Sequence, residues 1–222
     1  MLKIIQQAIA KGQKTLSEYE SRLVIESAGV FVAAGVLAKT KDEAIEAAEK
    51  IGYPVVMKGC SPELAHKTEA GMVTLNVCSA EEVAQVFDEL TGKINNLDGV
   101  LIEKMVRGNR EFVIGLSHDP QFGPCVMFGL GGIFTEALKD VTFRVAPLSM
   151  EDALEMIDEI KTKKLLGEFR GSPAVDKSAL AKALVGVGDL GIKYDSIAEI
   201  DINPLIICGD KPVAVDALVV LK

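Results

Sequence analysis

The stretch from Tyr53 to Val73, YPVVMKGCSPELAHKTEAGMV, constrains this chain more than any other. Tyr53–Met57 is a short apolar run that is typical of a buried strand, and Lys58 follows at its end. Residues 72–77 alternate apolar and polar side chains as a returning strand would. The connection between the two strands consists of turn formers and polar groups, with His66, Lys67 and Thr68 in its middle. The pattern predicts either a loop whose N–H, O–H and ammonium donors surround a phosphate, or a plain hairpin with a solvated loop.

The overall composition limits the classes of partner. The chain has 222 residues, 49% of them hydrophobic and 25% charged, which suits one large domain or two small ones. Its net charge of -8 gives no general attraction to nucleic acid or anionic lipid, so we expect neither a nucleic-acid partner nor a membrane partner. An anionic ligand would have to be held by a local group of cations.

Targeting and cysteine signals favour the cytoplasm. The first residues lack the long apolar segment of a signal peptide, and no apolar run approaches the length of a membrane span. The four cysteines, Cys60, Cys78, Cys125 and Cys208, form no CxxC pair. We therefore expect buried free thiols in a reducing compartment, with Cys60, two residues after Lys58, as the most reactive.

Local patterns predict several helices. Three hydroxyl residues are followed, three positions later, by a glutamate, which is the pattern of a helix-capping box: Ser17 with Glu20, Thr40 with Glu43 and Ser79 with Glu82. Helical periodicity is also present in Met150–Ile160 and Lys177–Leu190. These stretches predict helices on either side of a strand-rich middle.

The strand pattern, together with the helices, predicts an α+β fold class. Between residues 100 and 147 the chain shows short strands at the spacing of antiparallel hairpins. Val30–Lys39 predicts one earlier strand, and Val213–Leu221 predicts one of the last strands. A shift of composition near Asn96–Gly99 predicts a boundary between an N-terminal part, 1–98, and a C-terminal part, 99–222.

Two carboxylates, Glu103 and Glu111, flank a short connector at strand ends. Backbone N–H and C=O groups at such a connector could pair with an adenine ring, and a carboxylate could accept hydrogen bonds from a ribose diol. The alternative is a pair of surface carboxylates balanced by nearby cations. Those cations are Lys104, Arg107 and Arg110.

A glycine turn and an isolated arginine follow. Gly129–Gly132 could let a phosphate approach the backbone closely, or could simply turn the chain. Arg144 lies within the otherwise apolar strand VTFRVAP and therefore needs a partner. A ligand phosphate and a salt bridge to Glu136 or Asp140 are comparable interpretations.

Oxygen ligands recur near the end of the chain. Glu199, Asp201 and Asn203 occupy alternate positions, hence one face of one strand, and Asp216 lies in the apolar run VAVDALVV. Buried carboxylates facing each other repel unless a cation separates them, and Mg²⁺ accepts such hard oxygen ligands. The alternative is a strand face exposed to water, but Asp216 inside an apolar run favours the metal.

In order along the chain, these segments resemble the ATP-grasp fold, and more closely the β subunit of ADP-forming acyl-CoA synthetases such as the ADP-forming acetate–CoA ligases. The resemblance covers nearly the whole chain. It rests on YPVVMK, SPELAHKTEAG, VLIEKMV, REFVIGLSHDPQFGP, FGLGGIFTEALKDVTFRVAPL, LLGEFRGSP, EIDINPL and VAVDA. It implies two α+β lobes with the nucleotide between them.

The resemblance also implies residue roles. Lys58 would hold nucleotide phosphate under a loop formed by His66, Lys67 and Thr68. Glu103 and the backbone near Val106 would meet adenine, and Glu111 would meet the ribose. Asn203 and Asp216 would coordinate Mg²⁺, with Glu199 or Asp201 near by. The residues expected to be catalytic are His66, Lys58 and Arg144.

The implied reaction converts acyl-CoA, ADP and phosphate into carboxylic acid, CoA and ATP. This chain would transfer the phosphoryl group between histidine and ADP or ATP, with His66 as the relay. An α subunit would supply the CoA-binding domain and a phosphohistidine, in an α2β2 assembly. Two alternatives are a free-standing ATP-grasp carboxylate ligase and a non-catalytic nucleotide-sensing module of a larger acetyltransferase-like regulator.

One departure from the family concerns the loop. The family usually has Gly-Gly-Val where this chain has Gly71-Met72-Val73. A positive φ at Met72 would cost roughly 1 kcal/mol or more, because its Cβ would approach the neighbouring carbonyl oxygen.

Overall fold

The computed structural model describes residues 2–64, 70–94, 96–132, 140–168 and 171–222. Its helices are α1 Leu2–Ala10, α2 Glu18–Glu26, α3 Lys41–Ile51, α4 Ala80–Lys93, α5 Met150–Glu159 and α6 Lys177–Lys193. Its strands are β1 Gly35–Ala38, β2 Val55–Cys60, β3 Val73–Val77, β4 Gly99–Lys104, β5 Glu111–Asp119, β6 Gly123–Leu130, β7 Val141–Val145, β8 Ile197–Cys208, β9 Lys211–Ala214 and β10 Leu218–Leu221. No helix within these described ranges is long and apolar enough to cross a membrane.

The chain divides into two compact units. The smaller unit comprises Thr15–Glu20 and Ala33–Met105, and the larger unit comprises Met1–Lys14, Ser21–Val32 and Val106–Lys222. The boundary predicted between residues 98 and 99 stays a prediction of domain organisation. In the structure, β4 pairs with β1 and β2 and so belongs to the sheet of the smaller unit.

The smaller unit is a four-stranded antiparallel sheet in the order β1-β4-β2-β3. Helices α3 and α4 contribute Ala44, Val83 and Leu90 to a core that includes inward-facing strand residues such as Met57 and Ile102. Both helices begin where the caps predict. Thr40 and Glu43 form the reciprocal capping box, and the Ser79 hydroxyl accepts the N–H of Glu82.

Met72 is a core residue of the smaller unit. It is fully buried, and its carbonyl accepts the N–H of Gly59 at 2.9 Å. Among the described non-glycine residues, only Asn76 has a positive φ, so Met72 is free of the predicted strain. The left-handed position of this turn falls on Gly71, whose φ is 64°.

The larger unit contains a six-stranded sheet in the order β10-β8-β5-β6-β7, with β9 also pairing with β8. Helix α6 packs its apolar stripe, which includes Leu184 and Val187, against this sheet. Phe112 of β5 and Phe128 of β6 stack with ring centroids 5.5 Å apart in the buried layer.

Two predicted strands are shorter or broken in the structure. Of Val30–Lys39, only Gly35–Ala38 forms a strand, because Phe31 and Val32 instead pair with Ala214. The apolar run Val213–Leu221 is divided into β9 and β10, which pair with different halves of the long strand β8. The prediction of one continuous strand was therefore wrong, and Asp216 lies in the interruption.

The cysteines differ from one another in exposure. Cys60 is buried, as predicted, whereas Cys125 is only half-buried. Cys78 and Cys208 are exposed, so the prediction was wrong for those two. Burial also removes Cys60 from contact with water, which argues against the reactivity expected of it.

Candidate functional site

Lys58 lies within the smaller unit at the buried strand β2. Its side chain is 8% exposed, and its Nζ lies 2.8 Å from Glu103 Oε2 and 2.8 Å from Glu18 Oε1. The pairing of β2 with β4 sets Val56 opposite Glu103, so alternation brings Lys58 and Glu103 to the same face of the sheet. The ammonium group of Lys58 therefore contacts two carboxylates of the protein.

Glu103 is not a surface carboxylate. Its side chain is 1% exposed, which rules out the surface alternative for this residue. Arg110, one of the proposed surface cations, is also buried. Its guanidinium donates hydrogen bonds of 2.9–3.2 Å to four backbone carbonyls, those of Leu165, Gly167, Pro173 and Gly209. Arg110 therefore fixes the connector that precedes Glu111.

The glycine turn brings two predicted site residues of the larger unit together. The N–H of Gly132 donates to Asn203 Oδ1 at 3.2 Å, and the N–H of Gly131 donates to the carbonyl of Glu111 at 2.9 Å. Gly132 has a φ of 67°, and a Cβ added there would lie 2.1 Å from Glu111 Oε2. The positive φ favours glycine at this position, and the absence of a side chain lets the Glu111 carboxylate lie close to the turn.

Asp216 lies beside the same strand as Asn203. The N–H of Val215 donates to the carbonyl of Pro204 at 3.2 Å, which brings the interruption between β9 and β10 alongside β8. The N–H of Ala217 donates to Asp216 Oδ1 at 2.8 Å, and this bond orients the carboxylate.

The acidic residues around Asp216 repel one another. Burial, assisted by the negative charges of Glu199 and Asp216, raises the pKa of Asp201 from 3.8 to about 6. Such oxygen donors, in mutual repulsion, fit a hard divalent cation. Within the described residues, no three His, Cys, Asp or Glu side chains form a metal-binding group. Mg²⁺ needs no such group, because it commonly uses one or two carboxylates with substrate phosphates and water.

The raised pKa predicts a pH-dependent stability. The folded chain holds the Asp201 proton more tightly than the unfolded chain, so stability is lost as the pH rises from about 4 to about 6. In metal-free buffer, Asp201→Asn should add about 2–3 kcal/mol to the free energy of unfolding at pH 7.5 and almost nothing near pH 4. Urea denaturation at both pH values measures this, with Asp210→Asn in the exposed β8–β9 turn as control. An equal gain at both pH values would contradict the explanation.

Arg144 has partners other than those predicted. Its guanidinium contacts Glu159 of α5 at 2.5 Å and 3.1 Å and Glu155 at 3.9 Å, and the Glu159 carboxylate raises the pKa of Arg144. Asp140 instead accepts hydrogen bonds from residues 161 and 162, so the predicted Arg144–Asp140 bridge was wrong. The other proposed partner, Glu136, lies outside the described residues. A catalytic role for Arg144 stays a prediction.

For some predicted site residues the structure describes few contacts or none. His66, Lys67 and Thr68 lie outside the described residues, and Val106 is a half-buried residue of the connector after β4. Glu18, which contacts Lys58, is a residue that the sequence analysis did not single out. Its only signal was an acidic side chain in the first turn of a helix, which is common in proteins.

Comparison with known proteins defines the class of this protein. The family described as the ATP-grasp domain matches residues 7–221. The chain is 44% identical to the β subunit of ADP-forming acetate–CoA ligase I of Pyrococcus furiosus, over 98% of this chain and 96% of that protein. The chain therefore belongs to the ATP-grasp family, among the β subunits of ADP-forming acetate–CoA ligases.

Solved structures agree with this family. One is the dinucleotide-forming acetyl-coenzyme A synthetase 1 of Ca. Korarchaeum cryptofilum in complex with coenzyme A, Ca-AMPCP and HgCl+. It has a TM-score of 0.93 and 41% identity, and the match covers 99% of each chain. A selenomethionine form of that protein, with coenzyme A and Mg-AMPPCP, has its phosphohistidine segment pointing towards the nucleotide-binding site. Its TM-score is 0.87, with 42% identity over 99% of each chain.

Proposed function

We propose that this chain is the nucleotide-binding subunit of an ADP-forming acyl-CoA synthetase and moves a phosphoryl group between a histidine and ADP. In the assigned step, the N–P bond of a phosphohistidine breaks and a terminal phosphate oxygen of ADP forms the new P–O bond, which gives ATP. The observation that carries the proposal is the convergence of Glu111, the glycine turn and Asn203 at Gly132. These groups are far apart in sequence and suit a nucleotide.

Two groups of residues, each within its own unit, are proposed to bind the nucleotide. In the smaller unit, Lys58 binds phosphate, Glu103 lies at the adenine, and a loop of His66, Lys67 and Thr68 covers the phosphates. In the larger unit, the Val106 backbone contacts adenine and Glu111 accepts hydrogen bonds from the ribose hydroxyls. Arg144 is proposed on the family resemblance alone, because its guanidinium pairs with Glu159.

Asn203 and Asp216 are proposed to hold Mg²⁺. The amide and carboxylate oxygens match its ligand preference, and the Mg-AMPPCP bound by the Korarchaeum protein supports the choice of ion. When bound, Mg²⁺ would offset negative charge on the phosphoryl group during transfer. The chain's own contribution is to orient these oxygens through the Gly132 and Ala217 N–H groups.

The partner is proposed to be an α subunit that carries the CoA-binding domain and a phosphohistidine, in an α2β2 assembly. The Pyrococcus relative is named a β subunit, and the Korarchaeum structures contain coenzyme A and a phosphohistidine segment. The acyl and CoA sites would then lie on the partner. The cytoplasmic location stays a prediction.

Labelling with γ-labelled ATP tests the proposal. The chain should acquire an acid-labile label that His66→Ala abolishes and His118→Ala keeps, since these are the two histidines of the sequence. Full ligase activity should require the α subunit. A free-standing carboxylate ligase would work alone and survive His66→Ala, and a nucleotide-sensing module would bind ATP without acquiring label. Either result would overturn the proposed function.

A further inference from the structure

Arg110 occupies a cage of backbone carbonyl groups in the larger unit. It is 2% exposed, and both of its terminal nitrogens donate hydrogen bonds. Nη1 donates to the carbonyls of Leu165 and Gly167 at 3.1 Å and 3.2 Å, and Nη2 donates to those of Pro173 and Gly209 at 2.9 Å each. The planar guanidinium holds its donors in a fixed fork, which a flexible ammonium group does not. The cage therefore requires arginine.

Most of this cage comes from one sequence segment. Leu165, Gly167 and Pro173 lie at the two ends of LLGEFRGSP, and Gly209 lies in the turn between β8 and β9. The segment contributes to the family resemblance, but no role in nucleotide binding is assigned to any of its residues. The convergence of its carbonyl groups on one guanidinium gives the segment a role, which is to hold Arg110 in place.

The backbone of Arg110 is anchored as firmly as its side chain. Its carbonyl accepts the N–H of Ile207 at 2.9 Å. Two residues earlier, a Cβ added at Gly108 would lie 2.4 Å from the carbonyl oxygen of Ile207, so the connector lies directly against β8. Glu111 comes next, and its own carbonyl accepts the N–H of Gly131 at 2.9 Å. The chain is thus held on both sides of the Glu111 side chain.

We propose that Arg110 is a positioning residue that sets the Glu111 carboxylate for the ribose hydroxyls, with LLGEFRGSP as its cage. This inference rests on the proposed function, because it takes Glu111 as the ribose ligand. The four hydrogen bonds of the guanidinium go to the protein's own backbone, so Arg110 acts through Glu111 rather than on the nucleotide. A hydrogen bond weakens steeply as its geometry departs from the optimum, so a loosened connector would reduce the contribution of the ribose.

The test compares two nucleotides that differ by the 2′-hydroxyl group. Calorimetric titration of the full chain with Mg-ADP and with Mg-2′-deoxy-ADP measures what this hydroxyl contributes. The wild type should bind ADP about tenfold more tightly, because the deoxy nucleotide lacks a hydrogen bond to a charged acceptor. Arg110→Lys should lower this preference to about twofold, since one ammonium group cannot span the four carbonyls. Arg107→Lys, the same change at an exposed residue of the same connector, should keep the wild-type preference.

The outcomes separate the inference from the proposed function. A purely structural role for Arg110 would weaken binding of both nucleotides equally, so an unchanged preference in Arg110→Lys overturns the inference alone. A wild-type chain with equal affinity for the two nucleotides overturns the ribose role of Glu111 and the inference with it. A wild-type chain that binds neither nucleotide overturns the proposed function as a whole.

A second variant decides the question if Arg110→Lys fails to fold. In Gly108→Ala the added methyl group would press on the carbonyl oxygen of Ile207 and displace the connector, while the buried guanidinium stays in its cage. The preference for ADP should fall to about threefold or less, because the start of β5 moves with the connector. A preference equal to that of the wild type overturns the inference.

Discussion

Replacing Lys58 with methionine should lower the free energy of unfolding by about 3–5 kcal/mol, because it removes the ammonium group that contacts the buried carboxylates of Glu18 and Glu103. Both carboxylates are almost fully buried, so water cannot replace the ammonium. Methionine has a similar length and fills most of the same space, so the loss would be electrostatic rather than a packing defect. The same variant should weaken Mg-ADP binding about 100-fold, since a charge-assisted phosphate contact is removed. Urea denaturation and calorimetry measure the two effects.

A double variant separates the structural role of Lys58 from its role in binding. Adding Glu18→Gln to Lys58→Met removes one of the two buried carboxylate charges and should restore part of the stability, while nucleotide binding should stay weak. Lys104→Met on the exposed end of β4 is the control for loss of a lysine charge. If Lys58→Met bound Mg-ADP as tightly as the wild type, the assignment of Lys58 to phosphate would be wrong.

Local sequence signals were sufficient for the helices. The Ser17–Glu20 and Thr40–Glu43 boxes form with the predicted reciprocal bonds, and the helix predicted over Met150–Ile160 occupies Met150–Glu159. These features depend on residues three or four positions apart, whose preferences act within one turn of backbone. The ATP-grasp fold, in contrast, was predicted from the order of several separate segments, and the comparisons confirm it.

Contacts between distant residues could not be predicted from local patterns. Lys58 and Glu18 are 40 positions apart, and only the docking of the helix start on β2 brings them together. Arg110 illustrates the same difficulty. In the sequence it is one of several cations in a polar connector, whereas in the structure it is a buried donor to four carbonyls from three separate segments. Burial of a charged group depends on the tertiary partners available to it.

The Asp216 region shows why the sequence predicts the wrong secondary structure around this residue. The apolar run around Asp216 is continuous in sequence, so it predicts one strand. The long strand β8 changes its partner from β10 to β9 near Asn203, and the run is interrupted at that point. Side-chain hydrophobicity reports burial, and it carries no information about which half of a neighbouring strand is available for pairing.

Asp216→Asn should slow phosphoryl transfer about 10²–10³-fold and yet stabilise the metal-free chain. The asparagine oxygen can still accept the N–H of Ala217, so the local backbone is retained. Burial is the main cause of the raised pKa of Asp201, and the charge of Asp216 adds to it, so removal of that charge should increase the free energy of unfolding at neutral pH. Activity and stability would then change in opposite directions, which general misfolding cannot produce.

Magnesium titration of the reconstituted enzyme gives the decisive measurement for Asp216. With Asp216→Asn, the Mg²⁺ concentration needed for half-maximal transfer should rise at least tenfold, because one of its two proposed protein ligands has lost its charge. Asp210→Asn, in the exposed turn before β9, should leave that concentration unchanged. If Asp216→Asn slowed transfer without altering the magnesium dependence, the carboxylate would act on the nucleotide or histidine directly. The proposed ion would then need another ligand beside Asn203, with Asp201 or Glu199 as the nearest candidates on the same strand.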